Sequence, residues 1–407
     1  VLATHASFAE QQAVAAGHRV IPTFHTRRLL HWSLGVDGHS RFQRDLDGKS
    51  IGGSPVQNAW TNLADRLRPK RRPLDMLRQW SDDLARLLTD LKPTPSDSLL
   101  INTGDDFALL ALAAAMRKCR LDRLRIDVIF HFALYHSAQP NRRQQLRQIG
   151  RQIRLAAADL RSHDLHLHAT THNLAAQLRE TESGETFNAI PYPTRACQLA
   201  TGASSRPWKV VLAGLPRAEK GRGAIIDLLT AMESSALKQH RFRVSLQMPA
   251  QRWRTMVPVT LHGAYQRAAA GSDREPIEVM TDNLSPQAYH AWLDTADVGV
   301  FLYEPDRYVA RCSGVLLEML ARGVPVIVPD RCWLADQVRL AGGHRSIGFI
   351  YQDRAEIPDL LTQFSRHREA IRRRSLEHAA KIGRLHNGQN TLLEMGLPPL
   401  RDTVKVA

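Results

Sequence analysis

Two clusters in the second half of this 407-residue chain have residue types and spacing that could do chemistry. The first is Ser313-Gly-Val-Leu-Leu-Glu-Met-Leu-Ala-Arg-Gly-Val-Pro-Val-Ile-Val-Pro329. A small-residue turn opens a helix, Glu318 lies one turn in, Gly323 stops the helix, and the apolar run Val324 to Val328 follows as a buried strand. Such a unit points amide N–H groups and the positive end of a helix dipole at whatever sits above Ser313, which suits a phosphate. A carboxylate one turn further on can accept hydrogen bonds from a diol such as a ribose. The second cluster is Val210-Val-Leu-Ala-Gly-Leu-Pro-Arg-Ala-Glu-Lys-Gly221, an apolar strand running into Gly214 with Arg217 and Lys220 before the next helix. Gly214 lets the backbone approach a bound group. Arg217 can grip phosphate oxygens in a bidentate fork, and Lys220 adds a mobile point charge. Read alone, this loop is equally a basic turn with two solvated cations. The Glu318 unit on the same strand-end edge of a parallel sheet favours the phosphate.

The elements that must position these residues alternate along the chain. In the first half strands are expected at His18–Phe24, Ser98–Asn102, Arg125–Phe132, His166–Thr170 and Phe187–Ile190. Helices fall between them: one ending at Gly17, one from Asp75 ended by Pro93 and Pro95, one capped by Asp105 or Asp106 and running to Cys119. A basic helix from Asn141 to Leu160 and another from Asn173 follow. Pro191-Tyr-Pro193 and the polar stretch Thr201 to Pro207 read as a linker. The second series has strands at Lys209–Ala213, Arg243–Gln247, Ile277–Met280 and Val298–Leu302, with helices from about Gly223 and from Pro286 to Ala296. A helical tail from Arg366 to Met395 could pack across both domains. Strands regularly separated by helices imply parallel sheets, and right-handed crossovers place ligand loops at the strands' carboxyl ends. Expected domains are residues 1–195, 206–375 and a C-terminal helix and tail at 376–407.

Bulk properties narrow the classes. The formal charge is +15, which could serve nucleic acid, an anionic membrane surface or a polyanionic small ligand. The arginines lie on helix faces at Arg66–Arg72, Arg142–Arg154 and Arg366–Arg374, without interleaved aromatic residues, so a solvated basic surface is favoured over specific nucleic-acid binding. Arg142–Arg154 could still dock on anionic lipid, although it lacks aromatic anchors. No stretch of about 18 uncharged apolar residues is present. The chain begins with Val and has no basic-then-apolar leader, which suggests that residues precede it. Cys119, Cys197, Cys312 and Cys332 are scattered, without metal-type spacing, and fit a reducing cytoplasm. Gly48-Lys-Ser50 ends like a phosphate loop, but Gln43 stands where a glycine is required. Asp45-Leu-Asp47 lacks a preceding strand, and strand alternation should split His163, His166, His168 and His172, so no metal site is expected.

The stretches AGLPRAEKG, NLSPQAYHAWLDTADVGVFLYEP and SGVLLEMLARGVPVIVP together resemble the donor half of retaining GT-B glycosyltransferases of family 4. The resemblance covers roughly residues 205–345 and, more loosely, 97–193, where HATTHNLAAQLRE carries it. It implies an α/β fold of two Rossmann-like domains with parallel sheets facing across a cleft and a C-terminal helix crossing back. It further implies a nucleoside diphosphate sugar as donor substrate, with no metal and no other cofactor. Carried over residue by residue, Arg217 and Lys220 would hold the diphosphate, with Gly214 beneath. Glu318 would bind the ribose, and Ser313, Gly314 and Val315 would present amides to the phosphates. Asn283 and Leu284 fall where the nucleobase loop is placed, and His131, at a strand end, would touch the transferred sugar. Such enzymes place a second glutamate eight positions before the ribose glutamate; here that position is Ala310, followed by Arg311. Either Arg311 or Tyr308 reshapes the sugar pocket, or catalysis is weakened. The implied activity is sugar transfer with retention to a glycan, lipid-linked or small-molecule acceptor, in glycan or cell-surface polysaccharide biosynthesis. The cytoplasm, or a peripheral contact with the inner face of a membrane, is the expected location. Rival readings are a catalytically degenerate scaffold or binding protein and a nucleotide-sugar epimerase of related fold.

Overall fold

A computed structural model describes residues 2–5, 19–24, 73–121, 123–136, 142–195, 199, 207–233, 237, 241–249, 252–281 and 284–398. The expected helix ending at Gly17, the Arg66–Arg72 face, the two discounted loop motifs at 45–50, Cys197 and Asn283 lie outside the described residues. The chain divides into two compact units, Val1–Ile190 and Pro191–Leu397.

In the first unit, β1 (Leu2–His5) and β2 (Val20–Phe24) pair in parallel. After α1 (Pro73–Leu91), an all-parallel sheet runs in chain order through β3 (Ser98–Gly104), β4 (Arg125–Phe130), β5 (Asp164–Ala169) and β6 (Phe187–Ala189). The crossovers are α2 (Asp106–Cys119), α3 (Arg142–Asp159) and α4 (His172–Arg179). Asp105 starts α2 by accepting from the Ala108 N–H at 2.7 Å, and the apolar run inside that helix is core, with Leu109, Ala111, Leu112 and Ala115 fully buried. Among the described residues no helix is long and apolar enough to cross a membrane.

The expected scattering of the histidines is corrected in part. Strand alternation sends residues two apart to the same face, so His166 and His168 stack with ring centres 6.4 Å apart. His163 precedes the strand and accepts from the Leu124 N–H through Nδ1 at 3.3 Å. Among the described residues no group of three or more His, Cys, Asp or Glu is placed to hold a metal ion. His168 instead meets the fully buried Asp127, donating through Nε2 at 2.9 Å, while Arg125 donates to the other carboxylate oxygen at 2.9 Å.

Burial pushes the Asp127 carboxyl up, but the hydrogen bonds from His168 and Arg125 outweigh it and hold the pKa below the ordinary carboxylate value. A depressed folded-state pKa contributes stability that is fully present above the unfolded value and lost as pH falls through the folded one. Asp127→Asn should therefore lower stability at pH 7 by about 3 kcal/mol, the scale of breaking a buried pair. The gap to wild type should narrow as urea unfolding is repeated below pH 4. Equal gaps at both pH values would show that the carboxylate charge is not what matters.

The second unit opens with β7 (Trp208–Leu212), β8 (Phe242–Met248), β9 (Ile277–Thr281), β10 (Val298–Val300), β11 (Val326–Pro329) and β12 (Gly348–Tyr351). All neighbours are parallel, in the order β12-β11-β10-β7-β8-β9. This is the doubly wound arrangement, in which strand order reverses between β7 and β10 and opens a crevice above their carboxyl ends. The helices are α5 (Ile225–Met232), α6 (Trp253–Met256), α7 (His262–Ala269), α8 (Pro286–Asp294), α9 (Gly314–Ala321), α10 (Trp333–Leu340), α11 (Ile357–Leu385) and α12 (Gly388–Glu394). Alternation along β7 feeds two cores: Val210 and Leu212 pack with α5, α7 and α11, and Val211 and Ala213 pack with α8, α9 and α10.

Arg366–Arg374 is not wholly the solvated face expected. On α11 the stripe Phe364, Arg368, Ile371 and Ser375 is buried. The Arg368 guanidinium reaches Asp297 at 3.0 Å and lies 5.3 Å from the Trp208 ring centre, tying the long helix to the head of the sheet.

Candidate active site

The two strands at the reversal each end in a loop of the site. After β7 the chain turns at Gly214, whose φ of +88° favours a residue without Cβ. A Cβ there would lie 2.8 Å from the Lys220 ammonium and 3.9 Å from Val315. Gly214 therefore keeps open a space that the Lys220 ammonium and the first turn of α9 both border. The helix expected from Gly223 begins instead at Ile225, after short 3₁₀ turns at Ala218–Lys220 and Arg222–Ala224. Tertiary contact overrides the local pattern. A Cβ at Gly221 would meet the Leu302 carbonyl at 2.0 Å, and the Glu304 N–H donates to the Glu219 carbonyl at 3.0 Å. The basic loop is thus pinned to the loop after β10.

That second loop carries Tyr303, a 3₁₀ turn at Pro305–Tyr308, Ala310, Arg311 and Ser313. Ser313 caps α9 by accepting from the Leu316 N–H at 3.3 Å. The Gly314 and Val315 amides fall in the first turn, where a helix offers them no acceptor of its own. Tyr303 and Tyr308 are buried with ring centres 4.5 Å apart. The Lys220 ammonium sits 5.4 Å from the Tyr303 ring centre and the Arg311 guanidinium 5.4 Å from that of Tyr308, so two cations rest on one aromatic wall. Burial pushes the Tyr303 phenol up to about 12 and that of Tyr308 higher still, so both are neutral hydroxyls at neutral pH.

Burial also depresses the Lys220 pKa; Tyr308 and Glu219 oppose that shift, while the charges of Arg217 and Arg311 add to it. Glu318 is raised by burial, against the Tyr289 hydrogen bond and the charges of Arg322 and Lys220. Lys220 and Glu318 thus each carry a charge that burial disfavours. The Tyr289 hydroxyl donates to Glu318 Oε2 at 3.1 Å. Behind it the fully buried Arg322 donates to Asp294 at 2.7 Å, to His290 Nδ1 at 2.7 Å and to the Glu318 carbonyl at 3.0 Å. Arg322 thereby locks α9 to α8, fixing Tyr289 and Glu318 in mutual register.

The structure brings together Gly214, Lys220, Arg311, Ser313, Gly314, Val315 and Glu318. Arg217 stays half exposed, 3.8 Å from the Glu219 carboxylate, close enough to bear on Lys220. Leu284 packs as a partly buried side chain on the α8–α10 core. His131 belongs to the first unit, just beyond β4, with Nε2 2.5 Å from the Asn102 carbonyl that accepts from it. Sequence reasoning missed Tyr192, Tyr289, Tyr303 and Arg322; tyrosine on a core face gives no local sign of a site, and Arg322 sits at the end of a helix that reads as apolar.

No family model matches the chain, and no curated protein matches it in sequence. Solved structures do match its fold. A sucrose-phosphate synthase from Thermosynechococcus elongatus superposes with a TM-score of 0.53 at 17% identity, over 81% of this chain and 78% of that one. A UDP-forming α,α-trehalose-phosphate synthase from Burkholderia xenovorans gives 0.53 at 13% identity, over 88% and 84%. The trehalose-6-phosphate synthase OtsA gives 0.52 at 14% identity, over 86% and 83%. The chain thus has the GT-B fold of these enzymes, two Rossmann-like α/β domains with parallel sheets.

Proposed function

We propose that this protein is a retaining glycosyltransferase of family 4 type that takes a sugar from a nucleoside diphosphate donor and passes it to a glycan, lipid-linked or small-molecule acceptor. One observation carries the reading: Gly214 leaves a space bordered both by the Lys220 ammonium and by Val315 at the start of α9, and the ammonium is within electrostatic reach of Glu318. An ammonium and helix-start amides suit a diphosphate, and a half-buried carboxylate one turn on suits ribose hydroxyls. The fold shared with a UDP-forming synthase supports the same ligand class. As the sugar–phosphate bond breaks, negative charge grows on the departing diphosphate while the sugar gains oxocarbenium character. Lys220 and Arg311 would stabilise that charge from fixed positions on a low-dielectric aromatic wall, with half-exposed Arg217 adding to it from the rim.

A panel of UDP, ADP and GDP with their glucose conjugates should contain at least one member that raises the melting temperature of the full chain at millimolar concentration. At 100 times its Kd a ligand stabilises by about 2.7 kcal/mol. Donor hydrolysis or transfer should follow for the same base. Buried Ala310 favours a second reading, a protein that binds the donor without turning it over; stabilisation with no hydrolysis or transfer would select it. No stabilisation by any member would remove both.

A further inference from the structure

The segment that opens the second unit, Pro191-Tyr192-Pro193, is tied down by residues nearly two hundred positions away. Thr391 donates through its hydroxyl to the Pro191 carbonyl at 2.9 Å, and His386 through Nδ1 to the Tyr192 carbonyl at 2.9 Å. The Thr194 N–H and hydroxyl both donate to the His386 carbonyl, at 2.6 and 2.9 Å. Asn387, which caps α12 by accepting from the Asn390 N–H at 2.8 Å, sets the elbow from which His386 and Thr391 reach back. Burial depresses the His386 pKa, so the latch uses a neutral imidazole and adds no charge nearby. Two prolines further restrict the backbone on either side of one tyrosine.

The latch aims at the site described above. A Cβ at Gly314 would lie 3.4 Å from Tyr192 Cε1 and 3.9 Å from its hydroxyl oxygen, so the phenol covers the first residue of α9. Burial raises the Tyr192 pKa; the charges of Cys312 and Glu318 push the same way and that of Arg311 opposes them. A neutral phenol there can donate to an anionic oxygen while its ring screens the first-turn amides from water. The Tyr192 side chain packs, partly buried, against the α8–α10 core.

We infer that Tyr192 is a ligand-contacting residue of this site, its hydroxyl hydrogen-bonding the ribose–diphosphate portion of a bound nucleoside diphosphate, and that Thr391 and His386 are positioning residues that hold it there. The inference rests on the donor reading above.

The test is calorimetric titration of UDP, or whichever nucleoside diphosphate stabilises the wild type, into the full chain and its variants. Tyr192→Phe keeps the ring and should weaken binding about tenfold, the effect of one hydrogen bond to a charged group. Circular dichroism should show Tyr192→Phe fully folded at the titration temperature. Thr391→Val should weaken binding about threefold, and should have no further effect in the Tyr192→Phe background, because the latch acts only through the phenol. Wild-type binding by Tyr192→Phe, or additive losses in the double variant, would overturn the inference while leaving the donor reading intact. A wild type that binds no nucleoside diphosphate would overturn both.

Discussion

Replacing Lys220 by methionine should lower donor turnover roughly 100-fold to 1000-fold, the range seen when one preorganised donor to a developing oxyanion is removed, and should leave the unliganded fold more stable. The two effects share a cause. The Lys220 ammonium is held in a partly buried position where desolvation and two neighbouring arginines disfavour its charge. A lysine whose folded pKa lies below its unfolded value carries fewer protons when folded, so the stability it costs is present in full below the folded pKa and is recovered as pH rises from there toward the unfolded value. Methionine keeps the apolar stem against Gly214 and Tyr303 and removes that cost. A lysine whose role is to support the fold gives the opposite pattern, lower melting temperature with proportionate loss of activity. Measuring kcat/KM for donor hydrolysis beside the thermal midpoint separates the two cases.

Glu318→Gln should weaken donor binding about tenfold at neutral pH, since a neutral amide accepts ribose hydroxyls less strongly than a carboxylate. Its more diagnostic effect is on pH dependence. Burial raises the Glu318 pKa above the ordinary carboxylate value despite the Tyr289 bond and the charges of Arg322 and Lys220. If the ionised form accepts from the ligand, wild-type affinity must fall as pH drops through that raised value. The glutamine variant should show no such limb. The folded state also binds the Glu318 proton more tightly than the unfolded chain, so the ionised group costs stability above its folded pKa, and the variant should melt no lower than wild type at pH 7. Affinity profiles from pH 4.5 to 8 for both proteins check each point; parallel profiles would remove Glu318 from the ligand.

The halves of the site were legible in the sequence because each is a local βα turn. Gly214 with Lys220, and Ser313 with Glu318, lie within a few residues of one another, and their residue types state their chemistry. Their meeting follows from strand order: β7 and β10 are neighbours although 85 residues or more separate their members, and regular alternation of strands with helices implied such a parallel sheet. What could not be read depends on distant packing. Tyr192 is placed by His386 and Thr391, and Tyr289 meets Glu318 on another helix, so no window of sequence holds both partners. Arg368 is different, because its sign was present. It falls on the same helical stripe as Phe364 and Ile371, but an arginine-rich stretch reads as solvated unless its partner, Asp297, is known. Nor did the sequence show that Gly221 packs so closely under the Leu302 carbonyl that a Cβ there would lie 2.0 Å from its oxygen.

Lys220, the α9 amides and Glu318 should grip one anionic guest, and a crystal structure of the protein soaked with UDP, or with the nucleoside diphosphate that stabilises it most, tests this directly. The diphosphate should lie within hydrogen-bond distance of the Lys220 ammonium and the Gly314 and Val315 amides, with the ribose hydroxyls on Glu318. A nucleotide bound elsewhere, or bound here with Lys220 and Glu318 turned away from it, would contradict the account.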